Sequence, residues 1–310
     1  VDWPAHSAMS SHDALMVASG ITTVLDAVAI GDVRDGGDRL ENLEKMINAV
    51  EETQKRGLNR AEHRLHLRCE LPHHTTLPLF EKLVGREPVS LVSLMDHSPG
   101  QRQFANREKY REYYQGKYSL TDAQMRQYEE EQLQLAARWS QPNRAAIAGM
   151  CRDRHIALAS HDDATHEHVV ESHQLGSVIA EFPTTFEAAE SSRRHGMNVL
   201  MGAPNIVRGG SHSGNVAARE LAQLGLLDIL SSDYYPASLL DAAFRVADDD
   251  SNTFSLPQAI TLVTKNPARA LNLHDRGVIG EGKRADLVLA HRKGEHIHID
   301  HVWRQGKRVF

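Results

Sequence analysis

Cysteine is scarce in this chain: Cys69 and Cys151 are the only two, and no Cys-x-x-Cys spacing occurs. A disulfide framework and a thiolate zinc site are both disfavoured, and a reducing cytoplasm fits. Long apolar runs are missing as well. No window approaches the ~18 consecutive apolar residues of a membrane span, and the start is not signal-like. Positive charge is in deficit, 35 Lys and Arg against 41 Asp and Glu, so a formal charge of −6 gives no basic field for nucleic acid or a membrane surface. No Gly-x-Gly-x-x-Gly follows the first strand, which counts against an open doubly wound sheet. Histidine, by contrast, is plentiful at 19 of 310 residues, which makes nitrogen and oxygen ligands the natural choice for any metal.

The apolar run Ile156–Ser160 is too short for a helix and ends in His161, Asp162 and Asp163, with a helical segment after it. A buried strand that delivers ionisable side chains at its C-terminal end is how parallel α/β proteins build active sites. The pattern recurs. A strand from Leu65 ends in Glu70, one from Val89 ends in Asp96 and His97, one from Ser177 ends in Glu181, and one from Leu227 ends in Asp233. Strand ends that offer His, Glu and Asp in this way point to one metal centre.

Between the strands, helical spacing returns. Ala8–Gly20 predicts a helix stopped by Gly20, and the strand Ile21–Leu25 follows, with Asp26 and Asp32 in or near its exit loop. Asp38–Arg56 predicts an amphipathic helix with Leu40, Leu43, Met46, Ile47 and Val50 on one face. From Ser98 to Asn143 the rhythm breaks into a polar, tyrosine-containing excursion with a helix from Thr121 to Trp139, either a lid or a solvated insertion. A separate helix is expected over Arg144–Arg154. Asn205–Asn215 reads as a Gly-rich loop leading into a helix. Strands near residues 21, 65, 89, 156, 177, 198 and 227 make seven strand–helix units, which imply a parallel sheet with right-handed crossovers. Val1-Asp-Trp-Pro4 reads as the middle of a loop, so an eighth strand is expected upstream. The fold class expected is α/β, a (β/α)8 barrel over residues 1–276. Residues 277–310, short β segments punctuated by turns, are expected to form part of a small β-sandwich.

Gly280-Glu-Gly-Lys-Arg-Ala-Asp-Leu-Val-Leu289, preceded by Thr264-Lys-Asn-Pro-Ala-Arg-Ala-Leu271, resembles the end of an amidohydrolase-superfamily enzyme. Further segments, Asp2–Asp13, Leu67–Leu71, Met95–Phe104, Ala159–Ala164, Ala180–Thr185, Met201–Asn215 and Ser231–Pro236, extend the likeness over nearly the whole chain. They are similar to the sugar-triphosphate diphosphatases of the carbon–phosphorus lyase pathway. The resemblance implies hydrolysis of a triphosphate on ribose C5 in phosphonate breakdown, with release of pyrophosphate. It implies one or two divalent metal ions, zinc first, with manganese or magnesium as alternatives. The partner would be a small phosphorylated sugar, in the cytoplasm, with no nucleic acid or membrane involved and a homo-oligomer left open. Two other readings are a generic amidohydrolase that cleaves an amide or ring or deaminates a base, and a non-catalytic barrel in the same lyase system.

Breaking a phosphoanhydride needs an activated water and neutralised phosphoryl charge, which divalent ions provide. Glu70 suits a bridging carboxylate and His161 a nitrogen ligand. Asp233 matches the superfamily's aspartate, at once near the metal and the general base. His97 and Glu181 complete the candidate ligands, Glu181 standing where many members carry histidine, and His97 is open between metal and phosphate contact. The superfamily's first His-x-His pair would lie before Val1. Phosphate is expected at the loop after the strand near 198, where Arg208 offers a forked cation and Gly209 and Gly210 let backbone N–H groups approach. Ser211, His212, Ser213 and Asn215 add donors, Asn215 at the start of a helix, and Arg102 could add charge from the excursion. His12, His63 and His66 read as surface or packing residues. His73, His74, His166 and His168 read as groups behind the metal ligands.

Overall fold

A computed structural model describes residues 4–31, 39–104, 106–210 and 214–310, with the side chains of 39–42 outside the description. Asp32, Ser211, His212, Ser213 and the side chain of Leu40 therefore lie outside the described residues. Seven strands hydrogen-bond in chain order: β1 (Thr23–Ile30), β2 (Glu62–Glu70), β3 (Val89–Met95), β4 (Ala157–His161), β5 (Ile179–Glu181), β6 (Asn198–Gly202) and β7 (Ile229–Ser231). Three further strands, β8 (Leu287–Lys293), β9 (His296–Arg304) and β10 (Lys307–Arg308), form a separate antiparallel sheet.

Helices lie before β1, between successive strands and after β7, those between parallel neighbours serving as the crossovers. They are α1 (Ala5–Ala18), α2 (Arg39–Lys55), α3 (Thr76–Leu83), α4 (Arg107–Tyr118), α5 (Asp122–Asp153) and α6 (His166–Gln174). After these come α7 (Phe186–Arg194), α8 (Ala203–Arg208), α9 (Ala218–Gln223), α10 (Ser238–Asp248), α11 (Leu256–Thr261) and α12 (Lys265–Ala270). Within α2, Leu43, Ile47 and Val50 are buried as their spacing predicts, whereas Met46 is 47% exposed and stands off the buried face.

By contacts the chain divides into two compact units, one of Val1–Asp26, Glu41–Leu65 and Asn198–Phe310, the other of Ala27–Leu40 and His66–Met197. In the first unit β6 and β7 pair in parallel, and Met16, Val17, Ile21 and Ala61 pack as one apolar cluster. In the second unit β3, β4 and β5 pair in parallel, Leu94 opposite Ser160 and His161 opposite Glu181. The strand β3 is buried at all but one position, as a parallel strand covered on both faces is, and Ser93 lies among the buried residues. Register then places Glu181 beside His161 at the strand ends.

Three expectations need correcting. Asp26 lies inside β1, because the strand runs on to Ile30 instead of stopping at Leu25. The two helices expected over 121–139 and 144–154 are one helix of 32 residues that passes through Pro142. A proline there removes one backbone donor, yet the next residue holds the helix down: buried Asn143 donates its amide to the carbonyls of Leu71 and His73, at 2.8 and 3.0 Å. Residues Ala203–Arg208 are helical, not loop, and the next helix starts at Ala218, so Asn215 does not stand at a helix start.

Within the second unit, the excursion after β3 is helical and has its own core. Phe104, Tyr110, Tyr114, Met125 and Tyr128 are buried together, with Tyr118 and Leu120 packed on them. Glu129, buried, accepts from Arg111 at 2.5 Å. Rings meeting at 4.6 to 5.7 Å in tilted and edge arrangements give this element packing energy of its own.

Candidate metal centre

In the second unit, the ends of β2, β4 and β5 and the loop after β3 bring Glu70, His161, Glu181 and His97 together. His97 Nδ1 lies 2.7 Å from Glu70 Oε1, and His161 Nδ1 lies 2.8 Å from Glu181 Oε2. The far nitrogens of both imidazoles face one carboxylate, that of Asp162: His161 Nε2 at 3.3 Å and His97 Nε2 at 3.7 Å from Oδ2. His97, His161 and Asp162 each offer a ligand atom within 4.8 Å of the others. Arg68 Nη2 stands 3.5 Å from His161 Nε2.

Backbone conformation explains how two neighbouring residues can both reach the centre. Successive side chains of a strand point to opposite faces, so His161 and Asp162 would diverge if β4 continued. Asp162 instead has φ +56°, and its N–H donates to Glu181 O at 3.0 Å, which turns its carboxylate back beside His161. Phe182 after β5 has the same left-handed conformation, φ +56°. Strained single residues of this kind concentrate at functional sites. Gly31, φ +89°, leaves β1 where a Cβ would lie 2.2 Å from Thr76 Oγ1 and 3.1 Å from the Glu70 carbonyl. Thr76 donates to that carbonyl at 2.5 Å, so glycine at 31 is what lets the Glu70 end of β2 close up.

The electrostatics favour a cation. Burial alone would raise the Glu70 and Glu181 carboxyls, but His97 beside the first and His161 beside the second hold both below the ordinary range. Burial alone would depress His97, yet Glu70 and Asp162 push it up to about 10. Behind the centre, Ser93 donates to Glu181 Oε2 at 2.8 Å and therefore accepts from His66 Nε2, 2.5 Å away. Burial drops His66 to about 4, consistent with a neutral ring. Three carboxylates around two imidazoles, with the Arg68 guanidinium beside His161, make a donor set that suits a divalent ion.

Other expected residues sit elsewhere. Arg102 does not face a phosphate: it is buried, with φ +44°, and pairs with Asp163 and, at 3.1 Å, with Glu171. Burial, with Arg144 close by, lowers its guanidinium to about 10. His166 bonds Ser191, and His168 Nδ1 accepts from the Ala164 N–H, so neither backs the imidazoles of the centre through these bonds. In the first unit, Asp233 follows β7 with φ +49°, and the next residue, Tyr234, accepts from Arg208 Nη1 at 3.1 Å. That bond joins the Asp233 loop to the end of α8, where Gly209, φ +82°, turns the chain and Gly210 follows. Asp162 and Arg68 are the residues that strand-end reading did not assign. The signal for Asp162 was its place in His161-Asp162-Asp163, and for Arg68 its position two residues before Glu70 on the same strand face.

The sequence profile of the amidohydrolase family matches residues 14–310. The chain belongs to the amidohydrolase family. It is similar to the alpha-D-ribose 1-methylphosphonate 5-triphosphate diphosphatase of Escherichia coli strain K12, 92% identical over 310 residues, which cover all of this chain and 82% of that protein. Among solved structures, a prolidase complexed with N-methylphosphonate-L-proline superposes with a TM-score of 0.58 at 13% identity, covering 99% of this chain and 80% of that one. A D-hydantoinase from Bacillus sp. AR9 gives a TM-score of 0.58 at 10% identity, covering 96% and 79%. At such identities the likeness is one of fold, and it extends the amidohydrolase architecture over the whole chain. Use of divalent metal is general in the amidohydrolase family, and the His97, His161 and Asp162 donors are compatible with it. Among the described residues no helix is long and apolar enough to cross a membrane.

One prediction follows from the ion pairs beneath the centre. Burial would raise Glu171, but Arg144, the Gln141 amide at 2.8 Å and Arg102 together hold its carboxyl below the usual 4.5. A depressed folded-state value adds stability that is present above the unfolded value and is lost as pH falls through the folded one. With Glu171 one-third exposed, Glu171→Gln is expected to cost about 1 kcal/mol at neutral pH. Urea denaturation of both proteins should show the gap narrowing as pH drops below 4.5. A gap that stays constant into acid would mean that Glu171 contributes by shape alone.

Proposed function

We propose that this protein hydrolyses alpha-D-ribose 1-methylphosphonate 5-triphosphate, releasing pyrophosphate and leaving the 5-phosphate. The observation that carries the reading is the 92% identity over the whole chain to the diphosphatase that bears that name. The reaction adds one water across the bond between the α and β phosphates. The water oxygen stays on one phosphorus, the bridging oxygen leaves with the other, and two protons are distributed between the products and a base.

His97, His161 and Asp162 would hold a divalent ion, zinc in the first instance, with manganese or magnesium as alternatives. Such an ion supplies Lewis acidity, the capacity to lower the pKa of water and to neutralise phosphoryl charge. Glu70 and Glu181 would act on Nδ1 of His97 and of His161, fixing ring orientation and basicity, as carboxylates do behind metal-ligating imidazoles. That assignment replaces a bridging Glu70 and a ligating Glu181 with two positioning carboxylates. Arg68 would meet a phosphate oxygen. Asp233 would take the proton of the attacking water. Arg208, Gly209 and Gly210 would bind the triphosphate, with Ser211, His212, Ser213 and Asn215 as further donors. The setting would be the cytoplasm.

The test is pyrophosphate release from the ribose 5-triphosphate by the full-length protein, before and after chelation and with zinc, manganese or magnesium restored. Release that vanishes on chelation and returns with one of these ions is expected. Turnover of amides, hydantoins or aminated bases in place of the triphosphate would move the assignment to another amidohydrolase activity. Undiminished release without metal would remove the centre from the reaction.

A further inference from the structure

A second group of metal-type donors lies in the first unit and has no part in the centre described above. His12 on α1, Asp26 in β1 and His63 in β2 each offer a ligand atom within 4.8 Å of the others. Both imidazoles converge on the same carboxylate: His12 Nε2 is 2.6 Å from Asp26 Oδ1, and His63 Nδ1 is 2.8 Å from Asp26 Oδ2. The opposite nitrogen of His63 is also engaged. Its Nε2 lies 3.0 Å from Asp13 Oδ1.

Asp13 is locked in place. It accepts the backbone N–H of Arg60 at 2.8 Å and of Ala61 at 2.9 Å, and its side chain is only 3% exposed. An ionised carboxylate has no proton to give, so the proton between Asp13 and His63 sits on His63 Nε2. Nδ1 faces an Asp26 oxygen, and the two aspartates raise His63 to about 9, so without metal a proton lies between ring and carboxylate. An ion bound to Nδ1 and Asp26 would take the place of that proton. A carboxylate behind one imidazole nitrogen, with the other nitrogen turned toward an anionic ligand, is the arrangement that metal-binding histidines adopt.

We propose that His12, Asp26 and His63 form a divalent transition-metal site, with Asp13 as the positioning residue for His63. Two imidazoles and one carboxylate suit zinc, or copper and nickel. They do not suit magnesium or calcium, which take oxygen donors. Donors on a tetrahedral ion at about 2.0–2.1 Å lie roughly 3.3 Å apart, so loading widens the present contacts of 2.6 and 2.8 Å by roughly half an ångström or slightly more, within reach of side-chain rotation. His12 is 40% exposed and Asp26 13%, while His63 is fully buried. The ion therefore enters from solvent past His12 and keeps a solvent ligand on that side. Its effect is to tie α1 to β1 and β2.

The experiment counts zinc per chain in the full-length protein, equilibrated against a zinc buffer and freed of excess, for wild type, His12→Gln and Asp26→Asn. Each variant should hold one ion fewer than wild type, and His12→Gln should keep pyrophosphate release within about twofold. In a His161→Ala background, zinc should still raise Tm, and adding His12→Gln should abolish that rise. His12 is a half-exposed helix position, so its variant folds even if Asp26→Asn does not. Equal zinc content in wild type and His12→Gln, with the Tm rise unaltered, overturns the proposal and leaves His63 as an imidazolium donating to both aspartates.

Discussion

His161→Ala is expected to reduce kcat/KM for pyrophosphate release by roughly a thousandfold or more, and Glu181→Gln by about 10–100-fold. The two residues touch at 2.8 Å, yet they stand in different relations to the proposed ion. His161 has one nitrogen bound to Glu181 and the other directed to Asp162 and Arg68, so deleting the ring removes a donor outright. Glutamine at 181 preserves size and leaves an oxygen that can still accept from the ring. What disappears is the negative charge that raises the basicity of His161 and holds its tautomer. Metal content should separate the variants as clearly as rate: His161→Ala should lose the ion, and Glu181→Gln should keep it with lower affinity. If Glu181→Gln lost both metal and activity as completely as His161→Ala, Glu181 would itself be a ligand. The same comparison applies to His97→Ala against Glu70→Gln, because His97 leans on Glu70 as His161 leans on Glu181.

Much of this centre is legible without coordinates, for a physical reason. Parallel strands buried on both faces read as short apolar runs, and their C-terminal ends are where polar side chains can leave the sheet. Glu70, His97, His161 and Glu181 are all found that way. What the strand reading misses depends on backbone turns and on direction. Asp162 joins the centre only through a left-handed residue after β4, which no periodicity announces. Arg102 sits in a polar stretch that looks solvated, but its own positive φ turns it inward. His12 and His63 are 51 positions apart and share no motif, so only the pairing of α1 with the first two strands reveals that they meet on Asp26. The split expected between Trp139 and Arg144 does not occur, because Asn143 is held by the carbonyls of Leu71 and His73 and the helix passes through Pro142.

Arg102→Met is expected to destabilise the protein by about 3–5 kcal/mol, the scale of leaving one member of a buried ion pair without its partner. Arg102 and Asp163 have side chains 2% and 1% exposed, so water cannot replace the guanidinium. The measurement is the denaturation midpoint, with an unchanged m-value showing that the same surface unfolds. Introducing Asp163→Leu into the Arg102→Met background should recover part of the loss, because the stranded carboxylate goes with its cation. A cost below about 1 kcal/mol for the single variant would show that Ser172, which donates to Asp163 Oδ2 at 2.9 Å, suffices to hold the carboxylate. The effect should also reach the proposed chemistry. Asp163 adjoins Asp162, and its carbonyl accepts the Thr184 N–H at 2.9 Å, so it anchors the turn that brings His161 and Asp162 to one point. With Arg102 gone, the folded fraction should turn over more slowly as well as unfold more readily. Arg102, paired with Asp163, would thus act on the turn that presents two of the three proposed donors.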